Sequence, residues 1–395
     1  MDFLNFIIQY VVPFLLILTV LVFVHELGHF LLARWNGVKV EVFSVGFGSE
    51  LWGFDDKHGT RWRLSSVPLG GYVKMFGEGD VVTGIDDTED RPMTEDERKV
   101  SFHHKKLRQR TAIVAAGPLA NFLFAILVFW LVNAAFGVQK IQSVIGEVID
   151  DTAAEEAGFE AGDQILSIAG QKITLFGELS EIVSANAHVP LSFEVLRDDT
   201  VINLTATPRT WRDVEDDEED DDDKDKEGDK GDDGEHAVSD AKPKGLLGVR
   251  PSRDHVLTER AGIIEGLGLA LEQTYFFTVN ILAGVGEMFA GDRSAKELGG
   301  VLSIAQYSGE AAQAGIVGTL SFLAILSINL GLINLFPVPV LDGGHLVFYA
   351  AEALRGKPLS QKLQEYSFRF GLVLVLLLMV FATWNDFGRL FEKFG

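Results

Sequence analysis

The stretch Phe23-Val24-His25-Glu26-Leu27-Gly28-His29-Phe30 decides how this chain is read. It lies in an apolar run from about Phe3 to Trp35 that is almost uncharged until His25. On a helix, residues four apart share a face, so the two imidazoles converge on one point. Glu26, beside the first histidine, can then reach a water at that point as general base. Zinc suits such a set, being content with two histidines and one carboxylate while keeping a fourth position open. An ionisable side chain at membrane depth costs at least a few kcal/mol unless it is paired or coordinated. Three of them inside an apolar helix therefore argue for a metal rather than for chance.

Working outward, the composition agrees with a membrane protein. The chain has 395 residues, 47% of them apolar, and a mean hydropathy of +0.18, greasier than most soluble enzymes. The formal net charge of −23 excludes nucleic acid as a general partner. Between Asp213 and Glu235 there are 16 acidic residues and 3 lysines, so more than half of that imbalance sits in one tract. No cysteine is present, which excludes disulfides, a thiol nucleophile and a thiolate-bound metal.

Four segments read as membrane spans: Phe3 to Trp35, Thr111 to Phe136, about Gly315 to Phe336, and Gly371 to Trp384. At 1.5 Å per residue the first three can cross a core of roughly 30 Å, and the fourth can with its flanks. The first run is too long for a signal peptide's apolar region and should stay in the mature protein. Arg98, Lys99, Lys105, Lys106, Arg108 and Arg110 precede the second span, and Arg355, Lys357, Lys362 and Arg369 lie between the last two. The positive-inside rule makes both loops cytoplasmic, and it places both termini and the segment from Gly137 to about Ala314 on the other side.

That outer segment opens with a small α+β domain. Ser192–Leu196 and Val201–Leu204 alternate as strands do, with turn signals at Gly170-Gln171 and Asp198-Asp199. Ala153–Ala157 and Gly177–Ala185 read as short helices, and Gly245–Val249 as a returning strand. Residues 213–242 carry too much like charge to bury a core and are expected to be disordered. Glu265 to Phe289 is amphipathic and is expected to lie on the outer membrane face, because a fifth span would carry Asp342 to the side away from His25.

A catalytic zinc needs a third protein ligand. Glu50 lies 21 residues after His29, in what reads as a polar loop among glycines. Asp342 is the better candidate, in Asn334-Leu335-Phe336-Pro337-Val338-Pro339-Val340-Leu341-Asp342-Gly343. There a span ends in two prolines, and irregular backbone at membrane depth is tolerated only where protein or a wet cavity surrounds it.

The paired motifs His-Glu-x-x-His and Asn-x-x-Pro-x-Pro-x-Leu-Asp-Gly resemble the site-2 protease family, nearest the bacterial RseP-type intramembrane zinc proteases. The resemblance covers nearly the whole chain. Val45–Gly48 is similar to the family's glycine-phenylalanine-glycine turn, Pro68–Met75 to its membrane re-entrant β-loop, and Ala116–Asn121 to the opening of its second span. Ile141 to Arg209 resembles a PDZ domain, most clearly over Ala157–Ile165. RseP-type proteins often carry two such domains in tandem, and one is found here. Gly299-Gly300-Val301 stands where the family tends to have Ser-Gly-Pro.

The resemblance implies a four-span helical membrane protein with a re-entrant β-loop and one extracytoplasmic PDZ-like domain. The expected division is 1–36 first span, 37–110 cytoplasmic segment with the β-loop, 111–136 second span, and 137–250 PDZ-like domain. After these come 251–314 as an amphipathic helical region, 315–350 as third span and Asp motif, 351–370 as a loop and 371–386 as the fourth span. It implies one zinc ion per chain on His25, His29 and Asp342, with Glu26 as the base toward water and then the acid toward the leaving amine. Asn334 would bond the substrate strand or the oxyanion. Gly70, Gly71 and Tyr72 would contact a substrate paired as an added strand, the glycines forming the tight turn. Expected partners are the bilayer and membrane-spanning substrates such as anti-sigma factors and leftover signal peptides. The PDZ-like domain would contact substrate ends or filter substrates by size. The expected location is a bacterial inner membrane, with the active site facing the cytoplasm and the PDZ-like domain in the periplasm. A non-catalytic adaptor displaying that domain is the rival reading, and the intact Glu26 counts against it. A transporter would be expected to show repeated spans, and none is seen.

Overall fold

The computed structural model describes residues 3–77, 93–210, 245–252, 254–291, 294 and 298–394. The expected disordered tract, 213–242, lies outside the described residues. The chain forms two compact units, Met1–Phe136 with Ala261–Gly395, and Gly137–Arg260.

The first unit is built on apolar helices. A short helix α1 (Phe3–Phe6) and a π-helical turn (Ile7–Val11) lead into α2 (Val12–Trp35). Helices α4 (Leu107–Phe136), α9 (Gly315–Leu335) and α11 (Gln361–Phe394) follow in chain order. Among the described residues, four stretches are long and apolar enough to cross a membrane: Ile7–Trp35, Leu107–Phe136, Gly315–Leu335 and Lys362–Arg389. This is the architecture of a multi-pass membrane protein. The last stretch is much longer than the Gly371–Trp384 core read from the sequence, because its polar flanks continue the helix.

Helix α4 packs on both α2 and α9, and Ala125, Ala324 and Ile328 are fully buried where α4 meets α9. Small residues let these backbones approach. A methyl group on Gly28 would lie 2.3 Å from the carbonyl oxygen of Ala116, so α2 and α4 cross in near contact there. Helix α7 (Ile263–Ala290) packs on α4 and α9. Its fully buried Ala270 and its Phe277, stacked on Phe129, face inward, while Ile264, Leu267, Leu271 and Tyr275 are exposed. Helix α8 (Val301–Gln313) precedes α9, and its N-terminus is held by Asp386 of α11, which accepts from the backbone N–H of Gly300 and Leu302.

Between α2 and α4 lies a sheet folded from two long, bent strands, β1 (Val40–Asp55) and β2 (Arg61–Met75). Phe43 pairs with both Val73 and Trp62, and Val45 with both Gly71 and Leu64. Residues 40–45 therefore run between 71–75 on one side and 61–64 on the other, while 50–55 pairs outside 61–65. Positive φ at Gly46, Gly48 and Gly70 makes the bends. Two expectations are corrected here. Glu50 is in a strand, not a polar loop, and its carboxylate pairs with Arg61. Gly70 and Gly71 lie inside β2; the hairpin turn follows Asp56, whose carboxylate caps the N–H groups of His58 and Thr60. The short helix α3 (Glu95–Val100) opens with a capping box from Thr94 to Glu97.

The second unit is α+β. Strands β5 (Gln164–Ile168), β6 (Gln171–Lys172), β7 (Leu191–Arg197) and β8 (Thr200–Ala206) form an antiparallel sheet in the order β6-β5-β7-β8. Along β7, Leu191, Phe193 and Val195 are buried and Ser192 and Glu194 exposed, the alternation the sequence shows. Asp198 and Asp199 both take positive φ in the two-residue β7–β8 turn, as a type I′ hairpin requires. Two further pairs, β4 (Ile145–Val148) with β9 (Val249–Pro251) and β3 (Val138–Ile141) with β10 (Val256–Glu259), complete the unit. Helices α5 (Ala153–Glu156) and α6 (Phe176–Ala185) cover the core. A groove of about 240 Å³ runs between α6 and Gly245–Val249, lined by Ile149, Phe176, Leu179, Val183 and Leu247.

Candidate metal centre

Helical spacing puts His25 and His29 on one face of α2, with ring centroids 4.9 Å apart and the Nε2 atoms 3.3 Å apart. The chain leaves α9 at Leu335, turns through Pro337 and Pro339, and re-enters a helix, α10 (Asp342–Arg355), at Asp342 itself. Gly343 and Gly344 make that turn possible, since a methyl on either would lie 2.2 Å from the Phe336 carbonyl oxygen or 2.4 Å from that of Val338. Asp342 Oδ2 then lies 3.2 Å from His25 Nε2 and 3.4 Å from His29 Nε2. Arg110 of α4 pairs with Glu352 of α10 at 2.6 Å and lies over Tyr349, holding α10 in place.

These three atoms fit a zinc ion. A tetrahedral centre with bonds of about 2.0–2.1 Å keeps its ligand atoms about 3.3–3.4 Å from one another. The observed separations are 3.2, 3.3 and 3.4 Å. Asp342 Oδ2 is buried, and apart from the two imidazole Nε2 atoms that face it no polar group partners it, a costly state for a carboxylate that a cation relieves. The surrounding backbone leaves room for little else: a methyl on Gly117 would sit 2.2 Å from His29 Nε2 and 2.9 Å from His25 Cε1.

The far sides of both rings are held. His29 Nδ1 lies 2.9 Å from the carbonyl oxygen of Ile113, which can only accept, so Nδ1 carries the proton and Nε2 presents its lone pair. Pro118 lacks the N–H that would bond Val114, so the α4 ladder is interrupted one residue beyond Ile113. His25 Nδ1 faces the side-chain amide of Asn121 at 3.1 Å.

Glu26 lies beside the two histidines under the sheet. The backbone of Val73 hydrogen-bonds to it, and a methyl on Gly71 would come within 3.2 Å of its Cγ. Residues 71–75 thus run past the site as a strand whose outer edge pairs with no other strand among the described residues. Tyr72 stacks on Phe47 and receives the Arg63 guanidinium on its ring. Asn334 is not drawn into the cluster; its amide donates to Leu330 O of its own helix. His345 packs among Phe348, Tyr349 and Phe368, outside the ligand set. Gly28, Gly117, Ile113 and Asn121 were not among the site residues read from the sequence. Gly117 and Asn121 lie in the Ala116–Asn121 motif and Gly28 in the first-span motif itself, whereas no motif marks Ile113.

The model of peptidase family M50 matches residues 13–378. The chain belongs to peptidase family M50. A Rhizobium meliloti protein provisionally named a zinc metalloprotease is 41% identical over 97% of this chain and 98% of its own length. Metalloprotease MmpA of Caulobacter vibrioides is 36% identical, over 96% and 95%. Regulator of sigma-E protease RseP of Salmonella typhimurium is 31% identical, over 95% and 98%. Membership makes this M50 chain a zinc metalloprotease of the site-2, RseP-like kind, the family and activity that the two sequence motifs imply.

Proposed function

We propose that the chain binds one zinc ion on His25, His29 and Asp342 and hydrolyses peptide bonds within membrane-spanning segments. The convergence of these three side chains, from two helices 313 residues apart in sequence, carries the reading. When bound, zinc would acidify a water and polarise the scissile carbonyl. Glu26 accepts the proton of the attacking water at its carboxylate and returns it to the leaving amine. The backbone of Val73 supports that carboxylate beside the histidines.

A helical substrate has its backbone bonds closed internally, which hides the carbonyl. The strand Gly71–Met75, free along one edge beside Glu26, supports a role in receiving an unwound segment as an added strand. On this reading β1 and β2 form the re-entrant loop, with Gly70, Gly71 and Tyr72 nearest the substrate. Asn334 offers its second amide N–H to the substrate. The basic residues before α4 and between α9 and α11 support a site open to the cytoplasm, in a bacterial inner membrane like that of its relatives' hosts. The unit Gly137–Arg260 is a PDZ-like domain on the other side. Its groove between α6 and Gly245–Val249 supports contact with extended peptide ends. On this reading the substrate classes are anti-sigma factors and leftover signal peptides; the Salmonella relative is named a regulator of sigma-E protease.

The test is purified protein, assayed for zinc and for cleavage of a model membrane helix, beside Glu26→Gln. The wild type should hold about one zinc and cleave. Glu26→Gln should keep the zinc and lose cleavage by roughly 10² or more. Undiminished cleavage by Glu26→Gln would refute the mechanism.

A further inference from the structure

We infer that Asn121 is a positioning residue that accepts the Nδ1 proton of His25 once a metal is bound, stabilising the tautomer whose Nε2 lone pair faces the metal. This rests on the zinc reading above. His29 has a fixed acceptor, the Ile113 carbonyl, behind its ring. His25 has instead a group that can turn: a primary amide, donor at one end and acceptor at the other.

The geometry gives two self-consistent arrangements. Nδ2 of Asn121 lies 3.1 Å from His25 Nδ1. With Nδ2 there, the amide donates to Nδ1 and the ring proton sits on Nε2, 3.2 Å from Asp342 Oδ2. That tautomer has no lone pair for a metal. A half-turn of the amide about Cβ–Cγ brings Oδ1 to the ring instead. Nδ1 then carries the proton and donates to Oδ1, and Nε2 is free to coordinate. Asn121 is fully buried, and its Oδ1 has no hydrogen-bond partner. The turn therefore exchanges one unpartnered amide atom for another, and nothing else among the described residues holds the amide in either pose. The bond to His25 sets it, and loading of the metal carries the amide into the Oδ1 pose. The backbone beneath is fixed, because the buried Ser327 Oγ of α9 donates to Asn121 O at 2.8 Å. The acceptor for His25 is thus carried at the α4–α9 contact, while the ring itself comes from α2.

Zinc dissociation constants of the full-length protein, measured by chelator competition, test this with Asn121→Leu and Asn121→Asp. Leucine keeps the volume and removes the acceptor; aspartate restores an acceptor without the amide. Loss of such a partner typically weakens metal binding about 10–100-fold, so Asn121→Leu should fall in that range and Asn121→Asp should recover to within about tenfold of wild type. A structural role alone predicts that the buried charge of Asn121→Asp does at least as badly as Asn121→Leu. Zinc affinity of Asn121→Leu within about threefold of wild type, or Asn121→Asp as weak as Asn121→Leu, overturns the inference. A wild type that binds no zinc overturns the zinc reading instead. Should the variants not fold, nitrogen-15 NMR of zinc-loaded wild type labelled at histidine and asparagine decides: a His25 Nδ1–H bonded to the Asn121 side chain is expected, and an Nδ1–H with no bond to Asn121, or an unprotonated Nδ1, refutes the inference.

Discussion

Gly117 of the second span lies so close to His29 of the first that a methyl group on its α-carbon would sit 2.2 Å from Nε2. No side chain fits there without moving the ring. The glycine is thus a condition of the metal site, although it offers no ligand. Gly117→Ala should displace the ligand atoms by an ångström or so, and misplacement of that size can cost about 10² in rate. We expect zinc content well below one per chain and cleavage reduced about a hundredfold or more, with membrane insertion intact. A Gly117→Ala protein with full zinc and full activity would contradict the close packing of α2 on α4.

Asp342 and Glu50 make opposite forecasts. The Asp342 carboxylate faces both histidines, whereas that of Glu50 is engaged by Arg61 on the sheet. Asp342→Ala should strip zinc as well as activity, because two histidines alone make a weak site. Glu50→Ala should leave the zinc in place. Metal analysis of the two purified variants separates them, and the reverse pattern would reassign the third ligand.

What the sequence made legible, and what it did not, follows from the range of the interactions. Two histidines four apart in an apolar helix are a local signal, and an aspartate after two prolines at the end of a span is another. Both sit where an uncompensated charge is costly, so each could be read alone. The contacts of His25 with Asn121 and of His29 with Ile113 span 96 and 84 residues and depend on how closely α2 crosses α4, which no local pattern encodes. The bends of the sheet are hidden from the sequence for a related reason. Gly70-Gly71 looks like a turn, but Gly70 bends a continuing strand, and its φ of +130° is tolerated because it has no side chain to strike the Phe47 ring. The real turn is set by Asp56, whose caps form only when the hairpin closes.

Asp56 also gives the fold a dependence on acid. Burial alone would raise its pKa, but the N–H groups of Thr60 and His58, the Trp62 indole and the Arg34 guanidinium together hold it down to about 2. A carboxyl depressed in the folded state stabilises above its unfolded value near 3.8, and that contribution disappears as pH falls through the folded value. The difference in unfolding temperature between wild type and Asp56→Asn in detergent should be constant above about pH 5 and shrink between about pH 4 and 2. It corresponds to at most about 2–3 kcal/mol. A difference that does not change over that interval would show that the charge of Asp56 is not what the hairpin turn uses.

Orientation is open to direct test. A reporter fused after Phe136 should lie outside the cytoplasm, and one fused after Gly356 should lie inside. These are the sides that the basic residues flanking α4 and α11 require. The opposite result for both fusions would invert the orientation, and with it the side from which substrates reach Glu26.

The central claim is that zinc-dependent hydrolysis takes place within the membrane-spanning part of a substrate. Mass spectrometry of the products from a model transmembrane helix, cleaved by the purified protein in lipid, tests it most directly. The new termini should fall inside the apolar segment. They should disappear on chelation and with Glu26→Gln, and return when zinc is restored to the wild type. Cleavage confined to the polar flanks, or cleavage that survives chelation, would contradict the account.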